Sequence, residues 1–353
     1  MTLPTAILGA GMMGTAIAAA HLRCGLPVIL YDLSETALQT APQRVADELR
    51  LQNLPFSSTL LTCTGTLDDL ADSPIVIETI TEKLKAKQKL YQKFTADRKP
   101  TGMLLTNTST ISISSLAQHL SPDWQHRFCG LHFFHPVRQR SLVEIVAGQQ
   151  TERAVIEAAK EHAGRIDKQF IEVRDSPGFL VNRILNPYLS SALSLLEQRV
   201  DLEQIEHTAL RFGMKMGPFR IMDEIGLDVV LHAGWVLHKA FPDRTPQSPI
   251  LLRLIDQGKL GRKTGQGFMR YVQQASWEGE GVPDPQFAAT VPSEVRISAP
   301  EMIRRLFMPM YEEAVRCYEE GIISDLATAD RASIEALGFP ADKGGIITWG
   351  DST

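Results

Sequence analysis

The sequence predicts an α/β doubly wound sheet followed by all-α C-terminal domains, and three observations support this fold class. A strand, a glycine turn, a helix and a second strand follow one another within the first 32 residues. Short apolar runs then alternate with amphipathic helical segments up to residue 173, which is the pattern of a parallel sheet covered by helices. Beyond residue 178 the apolar residues recur at helical spacing.

The glycine turn is the first candidate ligand site. Gly9, Gly11 and Gly14 form a GxGxxG pattern between a strand at residues 5–8 and a helix at residues 15–23. In a dinucleotide site these glycines make the tight turn, admit a pyrophosphate close to the backbone and let the helix pack on the strand. The helix N-terminus favours the diphosphate. A GxGxxG alone can be a purely structural turn, but strand, helix and a following acid together indicate a Rossmann-type nucleotide site.

That acid is Asp32, which ends the second strand, eighteen residues after Gly14. Its carboxylate is positioned to accept hydrogen bonds from the ribose hydroxyls of adenosine. A 2′-phosphate would meet a like charge there, and Leu33 supplies no cation to compensate. The sequence therefore predicts NAD as the cofactor in preference to NADP.

The remaining elements of the first domain alternate between strand and helix. Strands are predicted near residues 60–63, 74–78, 103–106, 127–135, 142–146 and 169–173, and helices at 34–51 and 151–164 and from residues 82 and 114. In the second part, helices are predicted at residues 179–198, 202–212 and 223–241, and a glycine-rich basic loop at 261–268. The alternative for this loop is a flexible surface turn without a ligand.

Four polar residues follow the buried strands where open α/β sheets bind their ligands. Glu82 and Lys87 lie on the helix after the strand at 74–78, and Asn107 and Ser109 lie in the turn after the next strand. A lysine-rich helix is usually a solvated face, and a hydroxyl-rich turn can be no more than a helix cap. Their common position at the carboxyl edge makes them candidate ligand contacts.

His132 and Glu144 lie in two successive apolar strands. A single buried histidine is most often a core residue, and a single glutamate in a strand usually faces water. As a pair they suggest catalysis, because a carboxylate bound to one imidazole nitrogen fixes the tautomer and leaves the other nitrogen free as a base. The sequence alone does not show that the two side chains touch.

The composition excludes several function classes. A net charge of −5 with 22% charged residues offers no basic stripe for nucleic acid and no polybasic membrane patch. The four cysteines are scattered, so neither a metal site nor a disulfide framework is indicated. The sequence begins in a strand without a signal-peptide pattern and holds no run of membrane-spanning length. We expect a cytoplasmic protein that does not insert into a membrane.

The predicted domain limits are 1–177 for the nucleotide-binding domain, 178–272 for a helical domain, 273–296 for a linker and 297–353 for a second, degenerate helical repeat. The repeat rests on residues 182–188, NRILNPY, which match residues 304–310, RRLFMPM. Because Arg304 replaces Asn182 in the second copy, we expect one functional and one structural copy.

These residues carry a resemblance to the L-3-hydroxyacyl-CoA dehydrogenases, and the final segment resembles the extra C-terminal domain of multifunctional fatty-acid oxidation proteins. The matching motifs run in family order over about residues 5–271: Gly9-Ala-Gly-Met-Met-Gly14, Asn107-Thr-Ser-Thr110, Leu131-His-Phe-Phe134, Leu142-Val-Glu144, Ser176-Pro-Gly-Phe-Leu-Val-Asn-Arg183, Met216-Gly-Pro218 and Lys263-Thr-Gly-Gln-Gly-Phe268.

The resemblance implies a role for each matching residue. His132 matches the catalytic base and Glu144 its orienting partner, while Ser109 and Asn182 match residues that hydrogen-bond the substrate's oxygen atoms. His135 stands where the family usually has asparagine, near the nicotinamide. The implied cofactor-binding residues are Gly9, Gly11, Met12, Met13, Gly14, Asp32, Glu82, Lys87, Asn107, Ser109, His135 and Lys263.

The implied activity is NAD-dependent oxidation of a (3S)-3-hydroxyacyl-CoA to the 3-oxoacyl-CoA in fatty-acid β-oxidation, with no metal. The implied partners are the acyl-CoA substrate and a thiolase or another β-oxidation enzyme, for a monomer or a homodimer. Two alternatives stay open. One is a related dehydrogenase of a free hydroxy or sugar acid, and the other is a non-catalytic subunit that binds acyl-CoA or NAD.

Overall fold

A computed structural model describes residues 3–96, 98–100, 102–245, 248–271, 281–284 and 295–353 of the chain. The chain forms two compact units, Met1–Phe179 and Leu180–Thr353. Most of the linker predicted at 273–296 lies outside the described residues. The domain limits drawn from the sequence stay predictions.

The first unit is built on one eight-stranded sheet with the strand order β3-β2-β1-β4-β5-β6-β7-β8. Every neighbouring pair is parallel except β6 and β7, which are antiparallel. The strands are β1 Thr5–Leu8, β2 Val28–Tyr31, β3 Leu61–Thr64, β4 Ile75–Glu78, β5 Met103–Thr106, β6 Phe128–Phe133, β7 Leu142–Ala147 and β8 Gln169–Arg174. With the helical second unit, this sheet confirms the predicted fold class.

The central strands form because their side chains are apolar on both faces. All four residues of β1 and of β5 are buried, as expected for parallel strands covered by helices on both sides. The exceptions are polar residues at the carboxyl ends, Glu78 on β4 and Thr106 on β5, which pair directly across the sheet. These two residues lie at the carboxyl ends of their strands, just before the segments that carry the candidate ligand contacts.

Helices cover this sheet. They are α1 Met12–Arg23, α2 Glu35–Arg50, α3 Leu84–Thr95, α4 Ile113–Ala117, α5 Pro122–Gln125 and α6 Arg153–Arg165. Ser34 caps α2 by accepting a hydrogen bond from the Ala37 N–H. On α3, Lys87 is only 1% exposed, so this lysine does not belong to a solvated face.

A buried histidine pair joins α1 to α6. His21 donates through Nδ1 to the Ile17 carbonyl at 2.7 Å, and in the neutral ring its Nε2 accepts the 3.0 Å bond from His162 Nε2. Burial lowers the pKa of His21 to about 4 and the pKa of His162 to about 3.

The second unit is helical in the part of the chain that the structure describes, apart from a short hairpin of β9 Met269–Arg270 and β10 Val282–Pro283. Its helices are α7 Val181–Glu197, α8 Leu202–Phe212, α9 Pro218–Ile225, α10 Leu227–Ala240, α11 Pro249–Asp256, α12 Ala299–Glu319, α13 Ala327–Glu335 and α14 Ile346–Asp351. Within the described residues, no helix combines the length and the apolar character needed to cross a membrane.

The single helix predicted at residues 223–241 is wrong. Two helices replace it, because Gly226 adopts a left-handed φ of 96° between α9 and α10. Pro218 starts the first of them five residues earlier than the spacing suggested, at a position where proline's missing N–H costs nothing.

The glycine-rich loop at 261–268 is a rigid turn around Asp223. The Asp223 carboxylate accepts hydrogen bonds from the N–H groups of Phe268 and Met269 at 3.0 and 2.8 Å. A Cβ on Gly267 would lie 2.0 Å from this carboxylate, and Gly261 has a φ of +90°. Burial raises the pKa of Asp223 to about 6. The alternative of a flexible surface turn is therefore wrong.

A buried ion pair joins α7 to the C-terminal segment. Arg183, 1% exposed, donates through Nε to Glu313 on α12 at 2.7 Å and through Nη1 to Glu320, the C-cap residue of α12, at 2.5 Å. The guanidinium also lies 4.6 Å from the Phe241 ring centroid. Both α7 and α12 contain an internal proline, Pro187 and Pro309. The predicted duplication itself stays a prediction.

Candidate active site

The glycine turn is closed by Thr79, the residue after β4. Thr79 Oγ1 donates to the carbonyls of Leu8 and Gly9 at 3.1 and 3.0 Å, and Gly9 has a φ of +112° that suits only glycine. A Cβ on Gly14 would lie 1.8 Å from the Gly9 carbonyl oxygen. Two of the three glycines are thus required by the fold itself.

Gly11 is different, because no atom of the described residues lies within 4 Å of the position a Cβ would occupy. The fold does not need glycine here, yet the open space sits at the N-terminus of α1, where unpaired N–H groups attract anions. This is the cradle that a dinucleotide pyrophosphate requires. Met12 is 60% exposed beside it, and Met13 is half-buried.

Asp32 lies at the end of β2 against this turn. Its carboxylate accepts hydrogen bonds from the Ala10 N–H at 2.7 Å and from the Ser34 N–H at 2.8 Å. The turn also receives a cation that the sequence analysis did not assign, because Arg44 on α2 donates to the Ala10 carbonyl at 2.6 Å. Its only sequence signal is its position on the predicted α2, twelve residues after Asp32.

Glu82 organises the turn that carries Ser109. One carboxylate oxygen, Oε1, accepts hydrogen bonds from the N–H groups of Ser109 at 2.9 Å and Thr110 at 3.1 Å, and from both flanking threonine hydroxyls. Burial would raise the pKa of Glu82, but Lys87 and these hydrogen bonds hold it below its ordinary value. Glu82 therefore stays ionised while the turn is formed.

Lys87 is bound by two carboxylates. Its ammonium donates to Glu78 at 2.7 and 2.9 Å and lies 3.4 Å from Glu82 Oε2. Because the side chain is 1% exposed, its predicted contribution to NAD binding would act chiefly through Glu82. Glu78 was not among the predicted site residues, since it reads as the last residue of a buried strand.

His132 and Glu144 meet as the pair hypothesis requires. In the antiparallel register of β6 and β7 the two residues lie directly opposite each other, so their side chains share one face of the sheet. His132 Nδ1 lies 2.7 Å from Glu144 Oε2, with exposures of 4% and 0%. An ionised carboxylate can only accept, so in the neutral ring Nδ1 carries the proton and Nε2 presents a lone pair.

Two aromatic rings pack against His132. The ring centroids of Phe134 and Phe179 lie 4.7 and 5.8 Å from that of His132, each edge-on. Asn107 Oδ1 accepts the Phe133 N–H at 2.8 Å, which joins the Ser109 turn to the strand of His132. The structure thus brings Ser109, Asn107, Glu82, His132 and Glu144 to one edge of the sheet.

His135 is exposed and lies after β6, at the start of a loop. Lys168 anchors this loop by hydrogen bonds. Lys168 donates to the carbonyls of Val137 at 2.6 Å and Arg140 at 2.5 Å. Burial lowers the pKa of Lys168 to about 8. The sequence offered no signal for this anchor, because an isolated lysine before a strand resembles any surface residue.

Two predicted site residues belong to the second unit. Asn182 lies in the first turn of α7, immediately before the buried Arg183. Lys263 follows Gly261 in the anchored loop and forms an ion pair with Asp228. Their predicted contacts with the substrate and with NAD stay predictions.

Comparison with known proteins covers both units. Residues 4–176 match the model of the 3-hydroxyacyl-CoA dehydrogenase NAD binding domain, and residues 178–271 match that of the 3-hydroxyacyl-CoA dehydrogenase C-terminal domain. The predicted NAD cofactor is thereby confirmed, and the open cradle at Gly11 fits it.

Solved structures that resemble the chain include three dehydrogenases. The (S)-3-hydroxybutyryl-CoA dehydrogenase of Ralstonia eutropha is 33% identical, with a TM-score of 0.71 over 77% of this chain and 100% of that one. The 3-hydroxybutyryl-CoA dehydrogenase of Escherichia coli K12 is 25% identical, with a TM-score of 0.83 over 100% of this chain and 92% of that one. The dehydrogenase part of multifunctional enzyme 1 from C. elegans is 26% identical, with a TM-score of 0.68 over 96% and 79%.

Proposed function

Because the chain belongs to the 3-hydroxyacyl-CoA dehydrogenase family and is an NAD-dependent oxidoreductase, we propose that it oxidises (3S)-3-hydroxyacyl-CoA to 3-oxoacyl-CoA. The reaction is reversible, and its proposed setting is fatty-acid β-oxidation in the cytoplasm. The observation that carries the proposal is the buried 2.7 Å bond between His132 Nδ1 and Glu144.

His132 acts as the general base. Its Nε2 takes the proton of the substrate's 3-hydroxyl group, and the carboxylate of Glu144 stabilises the positive charge that then forms on the ring. In the reverse direction the same nitrogen returns the proton. A general base of this kind contributes about 10²- to 10⁴-fold to the rate. NAD, when bound, supplies the hydride acceptor.

The chain's own groups hold the cofactor and the substrate. The backbone at Gly11 and the N-terminus of α1 bind the pyrophosphate, and Asp32 binds the adenosine ribose. Glu82, Asn107 and His135 contact the nicotinamide end, with Lys87 supporting Glu82, and Lys263 is a further cofactor contact. Ser109 and Asn182 hydrogen-bond the substrate's oxygen atoms and orient its carbonyl.

A dehydrogenase with this dyad is expected to turn over a short 3-oxoacyl-CoA. The purified protein should oxidise NADH in the presence of acetoacetyl-CoA, and NADPH should support at least about tenfold less activity because of the charge of Asp32. The assay follows NADH absorbance with short, medium and long 3-oxoacyl-CoA substrates, which also measures the chain-length preference.

The controls separate this function from its alternatives. Acetoacetate, a free 3-oxo acid, and oxidised sugar acids serve as substrates without CoA, and preference for any of them over the thioesters would contradict the proposal. NADH binding without turnover of any substrate would support a non-catalytic subunit. Gel filtration with and without a thiolase measures the proposed partnership and distinguishes a monomer from a homodimer.

A further inference from the structure

We propose that Glu78 is a positioning residue for the dehydrogenase reaction, which fixes the turn carrying Ser109 through a chain of charges formed by the buried Lys87 and the half-buried Glu82. The proposal rests on the function proposed above, in which Ser109 binds the substrate's oxygen. Glu78 itself lies below the substrate edge, at the end of β4, and acts only through its neighbours.

Glu78 is a fully buried carboxylate with five hydrogen bonds. It is 0% exposed and accepts two bonds from Lys87 Nζ, at 2.7 and 2.9 Å, and one from the Ile80 N–H at 2.7 Å. The hydroxyls of Tyr91 and Thr106 donate to the Oε2 atom of Glu78 at 2.6 and 2.7 Å. So many donors fix both the position and the rotamer of the side chain.

Lys87 links the fixed carboxylate of Glu78 to the carboxylate of Glu82. Its ammonium, bonded to Glu78, lies 3.4 Å from the Oε2 atom of Glu82. A lysine that is 1% exposed has no water to replace either carboxylate, so the Coulomb attraction to both is strong. The ammonium therefore holds Glu82 Oε2 while leaving Oε1 free for other donors.

Glu82 transmits the constraint to Ser109. Its Oε1 receives the Ser109 N–H at 2.9 Å, together with one N–H and two hydroxyls of the flanking threonines. A single oxygen thus fixes the backbone of residues 108–110 around Ser109. A shift of Glu82 by a few tenths of an ångström must move this backbone with it.

The chemistry of Glu78 argues against a purely local role. A carboxylate that only closed the end of β4 would be satisfied by the Ile80 N–H and the two hydroxyls. Burial, together with Glu78, holds the pKa of Tyr91 well above its ordinary value, so that hydroxyl remains a donor. The negative charge of Glu78 is needed for the buried ammonium, and the ammonium is needed for Glu82.

Thr79, the residue after Glu78, links the end of β4 to the glycine turn. Thr79 closes the glycine turn by bonding the Leu8 and Gly9 carbonyls, while Glu78 supports the Ser109 turn. Glu78, the last residue of β4, and Thr79, which follows it, thus connect the pyrophosphate cradle and the substrate-binding turn. Motion at either turn would be resisted by the same short segment.

The test is a double-mutant cycle between Glu78→Gln and Ser109→Ala, measured with acetoacetyl-CoA and NADH. Gln keeps the shape of Glu78 but removes its charge. We expect Glu78→Gln to lower kcat by about 10- to 100-fold in the wild-type background, because a displacement of 1 Å or less at a reacting group has effects of this size. In the Ser109→Ala background the same change should lower kcat by less than about twofold.

The matched control is Glu206→Gln in the second unit. Glu206 is also a buried carboxylate, 7% exposed, which accepts the Phe219 N–H at 2.6 Å. It has no place in the proposed machinery, so kcat of Glu206→Gln should stay within twofold of wild type. Burial raises the pKa of Glu206 to about 7, so the comparison is made at a pH well above 7, where this carboxylate is also charged. The control thereby removes the general effect of neutralising a buried acid from the comparison.

Equal losses from Glu78→Gln in both backgrounds would overturn the proposal, because the effect would then not pass through Ser109. If Glu78→Gln does not fold, Tyr91→Phe replaces it in the cycle, with an expected loss of about 3- to 10-fold that again disappears with Ser109→Ala. Failure of the wild-type protein to reduce acetoacetyl-CoA would instead refute the proposed function, so the two failures are distinct.

Discussion

Replacement of His132 by alanine is expected to lower kcat for the reduction of acetoacetyl-CoA by about 10²- to 10⁴-fold, the usual contribution of a general acid or base. The proton at the substrate oxygen then has no partner other than water. NADH binding should be retained, because no contact of the glycine turn or of Asp32 involves His132 among the hydrogen bonds described here. Steady-state kinetics and NADH fluorescence titration measure the two effects separately.

Two variants accompany this prediction. Glu144→Gln keeps the size of the side chain but allows it to bind either tautomer, so kcat should fall while the protein stays folded. His126→Ala removes an exposed histidine of the same unit, whose Nδ1 bonds only the Gln150 carbonyl, and should leave kcat unchanged. Normal turnover by His132→Ala would refute the mechanism.

A second large effect is expected at the glycine turn, where two similar changes should affect different properties. Gly14→Ala should lower the stability, whereas Gly11→Ala should weaken NADH binding. Gly14→Ala introduces a Cβ 1.8 Å from the Gly9 carbonyl oxygen, so the free energy of unfolding should fall by about 1–3 kcal/mol or more. The Cβ of Gly11→Ala meets no atom of the described part of the chain within 4 Å, so the stability should stay unchanged. Urea denaturation measures both.

NADH binding gives the complementary result. The methyl of Gly11→Ala enters the space assigned to the pyrophosphate, so the Kd for NADH should rise by at least about tenfold, or 1.4 kcal/mol. Unchanged NADH affinity in the stable Gly11→Ala variant would show that the diphosphate lies elsewhere. The comparison is informative because each alanine serves as the control for the other.

Much of the first unit follows from the sequence because its signals are local. The glycines, the apolar strands and the polar residues after them specify a doubly wound sheet and its ligand edge. His132 and Glu144 stand out as polar residues within apolar strands. Their contact is not local, because it depends on the antiparallel register between β6 and β7, which no local sequence pattern predicts.

Other parts of the site depend on tertiary contacts that the sequence hides. Lys87 has the same local signal as exposed Lys83, Lys85 and Lys89, and only the burial of Glu78 beneath it explains the difference. Likewise the loop at 261–268 reads as flexible because its glycines suggest freedom. The structure shows the reverse, since those glycines are required by the close approach of Asp223.

The central claim is that Glu144 fixes His132 with its Nε2 free to accept a proton. The most direct measurement is ¹⁵N NMR of the imidazole rings in the histidine-labelled protein, with the His132 signals among nine histidines assigned by comparison with His132→Ala. Glu144 as the acceptor predicts that the neutral ring carries its proton on Nδ1 and none on Nε2. A proton on Nε2 with a bare Nδ1 would contradict the account.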